Sequence, residues 1–152
     1  MTRLDYDVEG WGVGELWLGD GRLVEHSHPS PARRLENGGG AHPLIDRFRA
    51  YFEGARDDFA DVEVDADEGT PFEAALLDAA RKIPYGEVVT YAELAALAGR
   101  PRAPRAAGTF CARNRFGLVV PCHRVVGSNG LGGYGSLGLA YKRRLLELEG
   151  AL

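Results

Sequence analysis

Thr90-Tyr91-Ala92-Glu93-Leu94-Ala95-Ala96-Leu97-Ala98-Gly99, continued by Arg100-Pro101-Arg102-Ala103-Pro104-Arg105-Ala106-Ala107-Gly108-Thr109-Phe110, decides how the second half of this chain folds. Thr90 with Glu93 three residues on is a capping box, since each side chain satisfies the other residue's orphan backbone N–H. A helix therefore opens there and runs to Ala98, and Gly99 stops it. Pro101 and Pro104 lead into a further short helix over 105–110. Helix, tight Gly-containing turn, then a small-residue helix with an Arg near its start is a helix-turn-helix pattern. The small face of Ala103, Ala106, Ala107 and Gly108 permits close approach of a nucleic-acid backbone or of another helix, and spacing alone does not choose.

Working outward, Thr70-Pro71-Phe72-Glu73 is a second capping box with Pro at the first helical position, which predicts a helix over 71–82. Ile83-Pro84-Tyr85-Gly86 stops it, and Val88-Val89 is a short apolar run. In the first part, Val13 to Leu18 alternates, Gly19-Asp20-Gly21 has turn chemistry and Leu23-Val24 resumes, so a hairpin is expected. Pro29 to Gly40 reads as a loop. Pro43 opens a helix with Leu44, Phe48, Tyr51 and Phe52 on one face, ended by Gly54. Val62 and Val64 suggest a short strand, and Asp65-Ala66-Asp67-Glu68-Gly69 marks a boundary. The expected organisation is α+β in two domains, a small α/β domain over 1–66 and a mainly helical domain over 70–152. His26, His28 and His42 read as exposed turn residues rather than metal ligands, and no metal site is expected.

Charge divides at the same place. Residues 1–70 hold seven Arg against sixteen Asp/Glu, a net of −9, whereas residues 71–152 carry +5. Such segregation suits a polyanion partner for the second part, although a solvated basic surface gives the same pattern. Two cysteines make no disulfide framework and favour a reducing compartment. The N-terminus has no apolar signal core and no run approaches spanning length, so a cytoplasmic protein with no membrane partner is expected.

One of those cysteines lies in Leu118-Val119-Val120-Pro121-Cys122-His123-Arg124-Val125-Val126. A free thiol with pKa ~8.5 is mostly protonated at neutral pH, and a neighbouring imidazole that accepts its proton makes it a nucleophile. Pro121 biases Val120 toward extended geometry, so a strand is expected to end there with Cys122 at its edge. On residue types alone, an inert core cysteine is the leading reading and the nucleophile the alternative.

Taken in order, Tyr85 to Tyr91, the helix to Gly99, Arg105-Ala106-Ala107-Gly108, Asn114, Val120 to Val126, Gly133-Tyr134 and Lys142 to Gly150 resemble the O6-alkylguanine-DNA alkyltransferases. The match covers about residues 71–150. The resemblance implies an RNase H-like N-terminal domain and a winged-helix-like C-terminal domain with the helix-turn-helix. It implies DNA repair by direct, irreversible transfer of an alkyl group from O6-alkylguanine, and by extension O4-alkylthymine, to Cys122. It implies no cofactor, a single turnover per molecule and a monomer on the minor groove of double-stranded DNA.

Carried over residue by residue, Cys122 attacks the alkyl carbon, His123 relays the thiol proton through a water, and Glu149 orients the imidazole. Tyr91 donates toward guanine N3, and Asn114 ties the recognition helix to the active-site turn. The carbonyls of Cys122 and Val125 accept from the guanine amino group, and Tyr91, Val125, Tyr134, Gly135 and Ser136 line the pocket. Arg105 enters the base stack left by the flipped nucleotide, with Ala106 and Gly108 close to the groove. Arg102, Arg113, Arg115, Arg124 and Lys142 are candidate DNA contacts.

The chain departs from the family at Asn114-Arg115, where Asn-Pro is usual, at Pro104 before the finger, and in the spacing of the segment from Gly133 to Leu139. Cys111 reads as packing, and the zinc ligands of some relatives have no counterpart. A non-transferring lesion binder of the same fold and a helix-turn-helix transcriptional regulator are the alternatives. Cys122 argues against the first, and Tyr91, His123 and Glu149 together argue against the second.

Overall fold

Asp20 and Gly21 both adopt positive φ (51° and 77°), the type I′ geometry that suits the right-handed twist of paired strands. They join β2 (Gly12–Gly19) to β3 (Arg22–Ser30) in the expected antiparallel hairpin. The computed structural model describes residues 1–36, 39–67 and 69–152. Asn37 and Gly38 of the expected loop and Glu68 of the expected boundary lie outside the described residues. The chain forms two compact units, Met1–Asp65 with Arg115–Gly117, and Ala66–Asn114 with Leu118–Leu152.

In the first unit the sequence did not announce β1 (Thr2–Val8), which pairs antiparallel with β2 to give the order β1-β2-β3. Arg3, Asp5 and Asp7 alternate with Leu4, Tyr6 and Val8, and the charges disguise the period. α1 (Pro43–Phe52) starts at His42, whose Nδ1 accepts from the Leu44 N–H at 3.0 Å, and buries Leu44, Ile45, Phe48, Tyr51 and Phe52. Val64 makes only a single parallel bridge, to Leu23. The expected 70–152 domain is interrupted because Phe116 bridges His26 in parallel and His26 N–H donates to Arg115 O at 2.8 Å. Gly117 belongs there for steric reasons, since a Cβ would lie 2.3 Å from His28 Cε1.

His26 and His28 are not exposed turn residues; both are buried on β3. His26 Nδ1 meets Gly117 O at 2.7 Å and its Nε2 meets Tyr6 Oη at 2.6 Å. A carbonyl only accepts, so the proton of the neutral ring sits on Nδ1, and Tyr6 donates to Nε2. The ring stacks on Phe48 with centroids 4.0 Å apart. Burial, opposed by the Gly117 bond and assisted by Arg33, lowers the His26 pKa from 6.5 to about 4. Its contribution is therefore complete above pH ~6.5 and lost as the pH falls toward ~4, about 3 kcal/mol in all. Urea unfolding of the first unit, followed by Trp11 and Trp17 fluorescence, should show this acid loss. His26→Gln should be less stable at pH 7 yet flatter between those pH values; an unchanged slope would refute the assignment.

In the second unit both capping boxes are made. Thr70 Oγ1 accepts from Glu73 N–H at 3.1 Å and Glu73 Oε1 accepts from Thr70 N–H at 3.3 Å, opening α2 (Pro71–Arg81). Thr90 and Glu93 repeat the exchange at 3.1 Å each way, opening α3 (Tyr91–Leu97). Gly99 follows with φ 95°, and α4 (Pro104–Ala112) packs on α3 through the fully buried Ala107. β4 (Val89–Thr90) pairs in parallel with β5 (Val125–Val126). The strand expected before Pro121 is absent, because Leu118 takes a positive φ of 71°, incompatible with an extended run. α5 (Leu139–Leu148) completes the unit. Among the described residues no helix is long and apolar enough to cross a membrane.

Candidate active site

Pro121, with φ −81° and ψ 65°, makes an inverse γ-turn, and Cys122 N–H donates across it to Val120 O at 2.8 Å. Residues Cys122–Arg124 then form one 3-10 turn, closed by Arg124 N–H to Pro121 O at 3.0 Å. Cys122 thus sits on a tight turn rather than at a strand edge. Asn114 Nδ2 donates to the same Val120 O at 2.8 Å, tying the end of α4 to this turn. Cys122 is only 3% exposed. Its pKa is pushed well up, by the hydrogen-bonded Cys111 side chain and by burial, against the opposing influence of Lys142 and Asn114. The resting sulfur is a thiol, so a nucleophilic role requires a base.

The candidate for that base is one residue away. His123 is buried, with Nε2 2.6 Å from Glu149 Oε2. An ionised carboxylate only accepts, so Nε2 carries the proton and the buried Nδ1 carries the basic lone pair. Burial lowers the His123 pKa, with Arg124 and Lys142 adding to the fall while Glu149 opposes it. Burial also works against the Glu149 charge, but hydrogen bonds from His123 and Arg124 and the Arg124 charge overcome this and hold its carboxyl well below the usual range. The pair therefore rests as neutral imidazole and carboxylate.

Arg124 is the main correction among the expected DNA contacts. It is 2% exposed. Its Nε donates to Glu149 Oε1 at 2.8 Å, Nη2 to Oε2 at 3.1 Å, and Nη1 to Ile83 O at 2.7 Å. A guanidinium so engaged reaches no phosphate; it holds the carboxylate that holds His123. Gly86 N–H adds a fourth donor to Glu149 at 3.1 Å. Thus the Tyr85-Gly86 turn after α2 and the end of α5 present one anchored carboxylate, 26 positions from its histidine.

Lys142 is likewise no phosphate contact. It is fully buried, and its Nζ donates to Val125 O and Leu131 O at 2.5 Å each, to Gly133 O at 3.0 Å and to Tyr91 Oη at 3.4 Å. Burial lowers its pKa to about 8, with Cys111 and Cys122 opposing the fall. The ammonium fastens the Leu131–Gly133 segment around Tyr91, whose oxygen also accepts from Gly133 N–H at 3.4 Å. Gly132 allows this approach, since a Cβ there would stand 2.6 Å from Tyr91 Oη. Val125 O, expected to accept from the guanine amino group, already accepts from Lys142 and retains a second lone pair. An i, i+3, i+4, i+7 pattern, Lys142, Leu145, Leu146 and Glu149, was the available signal that both charged residues share the buried face of α5.

Of the other expected pocket residues, Tyr134 is half-buried and stacks near Tyr141 with centroids 6.5 Å apart. Gly135 and Ser136 lie exposed in a 3-10 turn, where a Gly135 Cβ would stand 3.7 Å from Ala112 O. Arg102, Arg105, Ala106 and Arg113 are exposed on and around α4, and Gly108 is half-buried, its Cβ position 3.9 Å from the Tyr91 ring. Arg115 falls instead in the first unit, where Nη2 donates to Asp65 O at 2.7 Å. Among the described residues no three His, Cys, Asp or Glu side chains converge to hold a metal ion.

The chain is similar to known proteins. Residues 71–151 match the model of the 6-O-methylguanine DNA methyltransferase, DNA binding domain. A methylated-DNA–protein-cysteine methyltransferase of Methanopyrus kandleri is 49% identical over 112 residues, covering 73% of this chain and 82% of that protein. The Mycobacterium bovis protein of the same name is 42% identical over 130 residues, covering 84% and 77%. Among solved structures, Mycobacterium tuberculosis OGT in complex with DNA superposes with a TM-score of 0.79 at 34% identity, covering 97% of this chain and 92% of that one.

Proposed function

The chain belongs to the 6-O-methylguanine DNA methyltransferase family, and from that premise we propose that it repairs DNA by moving the alkyl group of O6-alkylguanine onto its own Cys122. The observation that carries this is the buried thiol followed directly by a histidine whose protonated nitrogen is bound to Glu149. Nδ1 of His123 takes the thiol proton, directly or through a water. The Cys122 sulfur then forms a bond to the alkyl carbon as the carbon–O6 bond breaks. The electron pair leaves on guanine, and Tyr91, polarised by Lys142, donates a proton or hydrogen bond to the departing base. The thioether formed has no leaving route, so each molecule acts once and no cofactor takes part.

A base edge inside a duplex cannot reach a sulfur that is 3% exposed, so the nucleotide must leave the stack at a cost of a few kcal/mol. Arg105, exposed in the first turn of α4, fills the gap, and the small residues Ala106 and Gly108 bring α4 close to the minor groove. Arg102 and Arg113 supply phosphate contacts. The N-terminal unit is read as RNase H-like, the C-terminal unit as winged-helix-like, and the protein as a monomer on duplex DNA.

The test is to incubate the protein with duplex DNA carrying O6-methylguanine and record the intact mass and a peptide map. A methyl-sized gain on the peptide holding Cys122, with loss of the lesion, is expected; tight binding with no mass gain would refute transfer. Arg105→Ala should slow repair in duplex DNA at least tenfold while reaction with free O6-methylguanine changes little. Equal losses on both substrates would remove the finger role.

A further inference from the structure

Lys142 is fully buried, and its ammonium is surrounded by oxygen. Three main-chain carbonyls, Val125 O and Leu131 O at 2.5 Å and Gly133 O at 3.0 Å, take up its three N–H bonds. Tyr91 Oη stands 3.4 Å from the same nitrogen, which lies 5.5 Å from the centroid of the Tyr91 ring. The carbonyls need donors, and a neutral donor would serve them without the cost of burying a charge. A hydroxyl feels the charge itself, which attracts its oxygen and repels its hydrogen. Tyr91 Oη also meets Gly133 N–H at 3.4 Å. Neither the ammonium nor the amide N–H can accept a hydrogen, so the phenolic proton is turned away from both. The strap over 131–133 holds this arrangement only with glycine at its centre, since a Cβ on Gly132 would stand 2.6 Å from Tyr91 Oη.

We propose that Lys142 is a positioning residue for alkyl transfer, whose ammonium, with the strap it holds, turns the Tyr91 hydroxyl so that its proton faces the departing guanine. The proposal rests on the repair reading of Cys122 and Tyr91. No bond to Lys142 forms or breaks in the reaction. Tyr91 shares or gives up its proton to the base as the carbon–O6 bond breaks, and the ammonium keeps its own three. A phenolate formed by full donation is stabilised by the same neighbouring charge. The neutral amine would do the opposite. It carries one N–H fewer and a lone pair, so it accepts the Tyr91 proton, draws the hydroxyl inward and leaves one carbonyl of the strap without its donor. The titratable groups that act on the Lys142 charge or feel it are Tyr91 from α3, Cys111 from α4, and Cys122 and His123 from the turn over 122–124.

The experiment measures single-turnover transfer from O6-methylguanine duplex, read by intact mass, for the natural chain, Lys142→Met, Tyr91→Phe and the double variant. At saturating DNA, Lys142→Met should slow transfer about tenfold or more, with the half-saturating DNA concentration within about twofold. On the Tyr91→Phe background the same substitution should cost less than about threefold, because the hydroxyl it aims is already gone. Equal losses on both backgrounds overturn the proposal and leave Lys142 a fastener of the strap. A second measurement needs no lysine variant. Burial lowers the Lys142 pKa to about 8, so the rate advantage of the natural chain over Tyr91→Phe should shrink severalfold as the pH rises from about 7 to about 9.5. Cys111, Cys122 and His123 are present in both proteins, and their titration cancels in that ratio. A ratio constant across this range overturns the proposal, even where Lys142→Met fails to fold. No methyl gain in the natural chain removes the repair reading, and the proposal with it.

Discussion

Cys122→Ser loses alkyl transfer altogether, to below detection in an intact-mass assay run to many times the natural protein's reaction time, while duplex binding stays within about twofold. The substitution exchanges one buried atom for a smaller one, and Cys122 is 3% exposed, so the exposed surface of α4 is untouched. What changes is the chemistry. A thiol near pKa ~8.5 lies within reach of an imidazole base, whereas a serine hydroxyl is far more weakly acidic and its oxygen a poorer nucleophile toward saturated carbon. In this site even the thiol is pushed well up, first by the hydrogen-bonded Cys111 and then by burial. A hydroxyl in the same place leaves His123 nothing it can deprotonate at neutral pH. Fluorescence anisotropy on O6-methylguanine duplex gives the binding, and mass spectrometry gives the transfer. A methyl-sized gain on the introduced serine at any appreciable rate would place the nucleophile's activation somewhere other than its acidity.

The elements that frame the site were legible because their signals are local. Both capping boxes need only residues three apart, and Gly99 stops α3 through its own backbone. The tie from Asn114 to Val120 spans six positions and followed from the family resemblance. Charged residues were read less well. Arg124 and Lys142 looked like surface cations, yet each finds its partners far along the chain: Glu149 is 25 positions from Arg124 and Tyr91 is 51 from Lys142. A buried cation is tolerable only when paired and hydrogen-bonded, and that pairing belongs to the tertiary structure. His26 and His28 show the converse. They alternate on β3 as inward positions do, but their loose spacing suggested exposed turn residues. Their burial depends on Tyr6, Phe48 and Gly117, which no local window contains.

Glu149→Gln is the sharper probe of how the base is prepared. The carboxylate fixes the His123 tautomer because it can only accept, from Nε2–H on one side and from Arg124 and Gly86 on the other. An amide both donates and accepts. With its NH2 toward the ring, it favours the tautomer that carries the proton on Nδ1, where His123 can no longer take one from Cys122. Its carbonyl can face only one of its two former partners well. The single-turnover rate should fall by roughly 10²–10⁴-fold, the range for loss of a positioned base and its orienting group, with DNA affinity unchanged. The pH profile distinguishes this from simple structural damage. In the natural protein burial lowers the His123 pKa, so transfer should persist below the ordinary histidine range and fail only as acid protonates the ring. The Glu149 hydrogen bond and charge raise the His123 pKa against burial, so Glu149→Gln should shift the acid limb to lower pH as well as depress the plateau. Arg124→Met leaves the Glu149 carboxylate buried without its guanidinium, and should cost about 3–5 kcal/mol of stability, as breaking buried pairs does. If Glu149→Gln loses rate and stability together, and its pH profile merely scales, then Glu149 is a fastener of the fold and His123 needs no orientation from it.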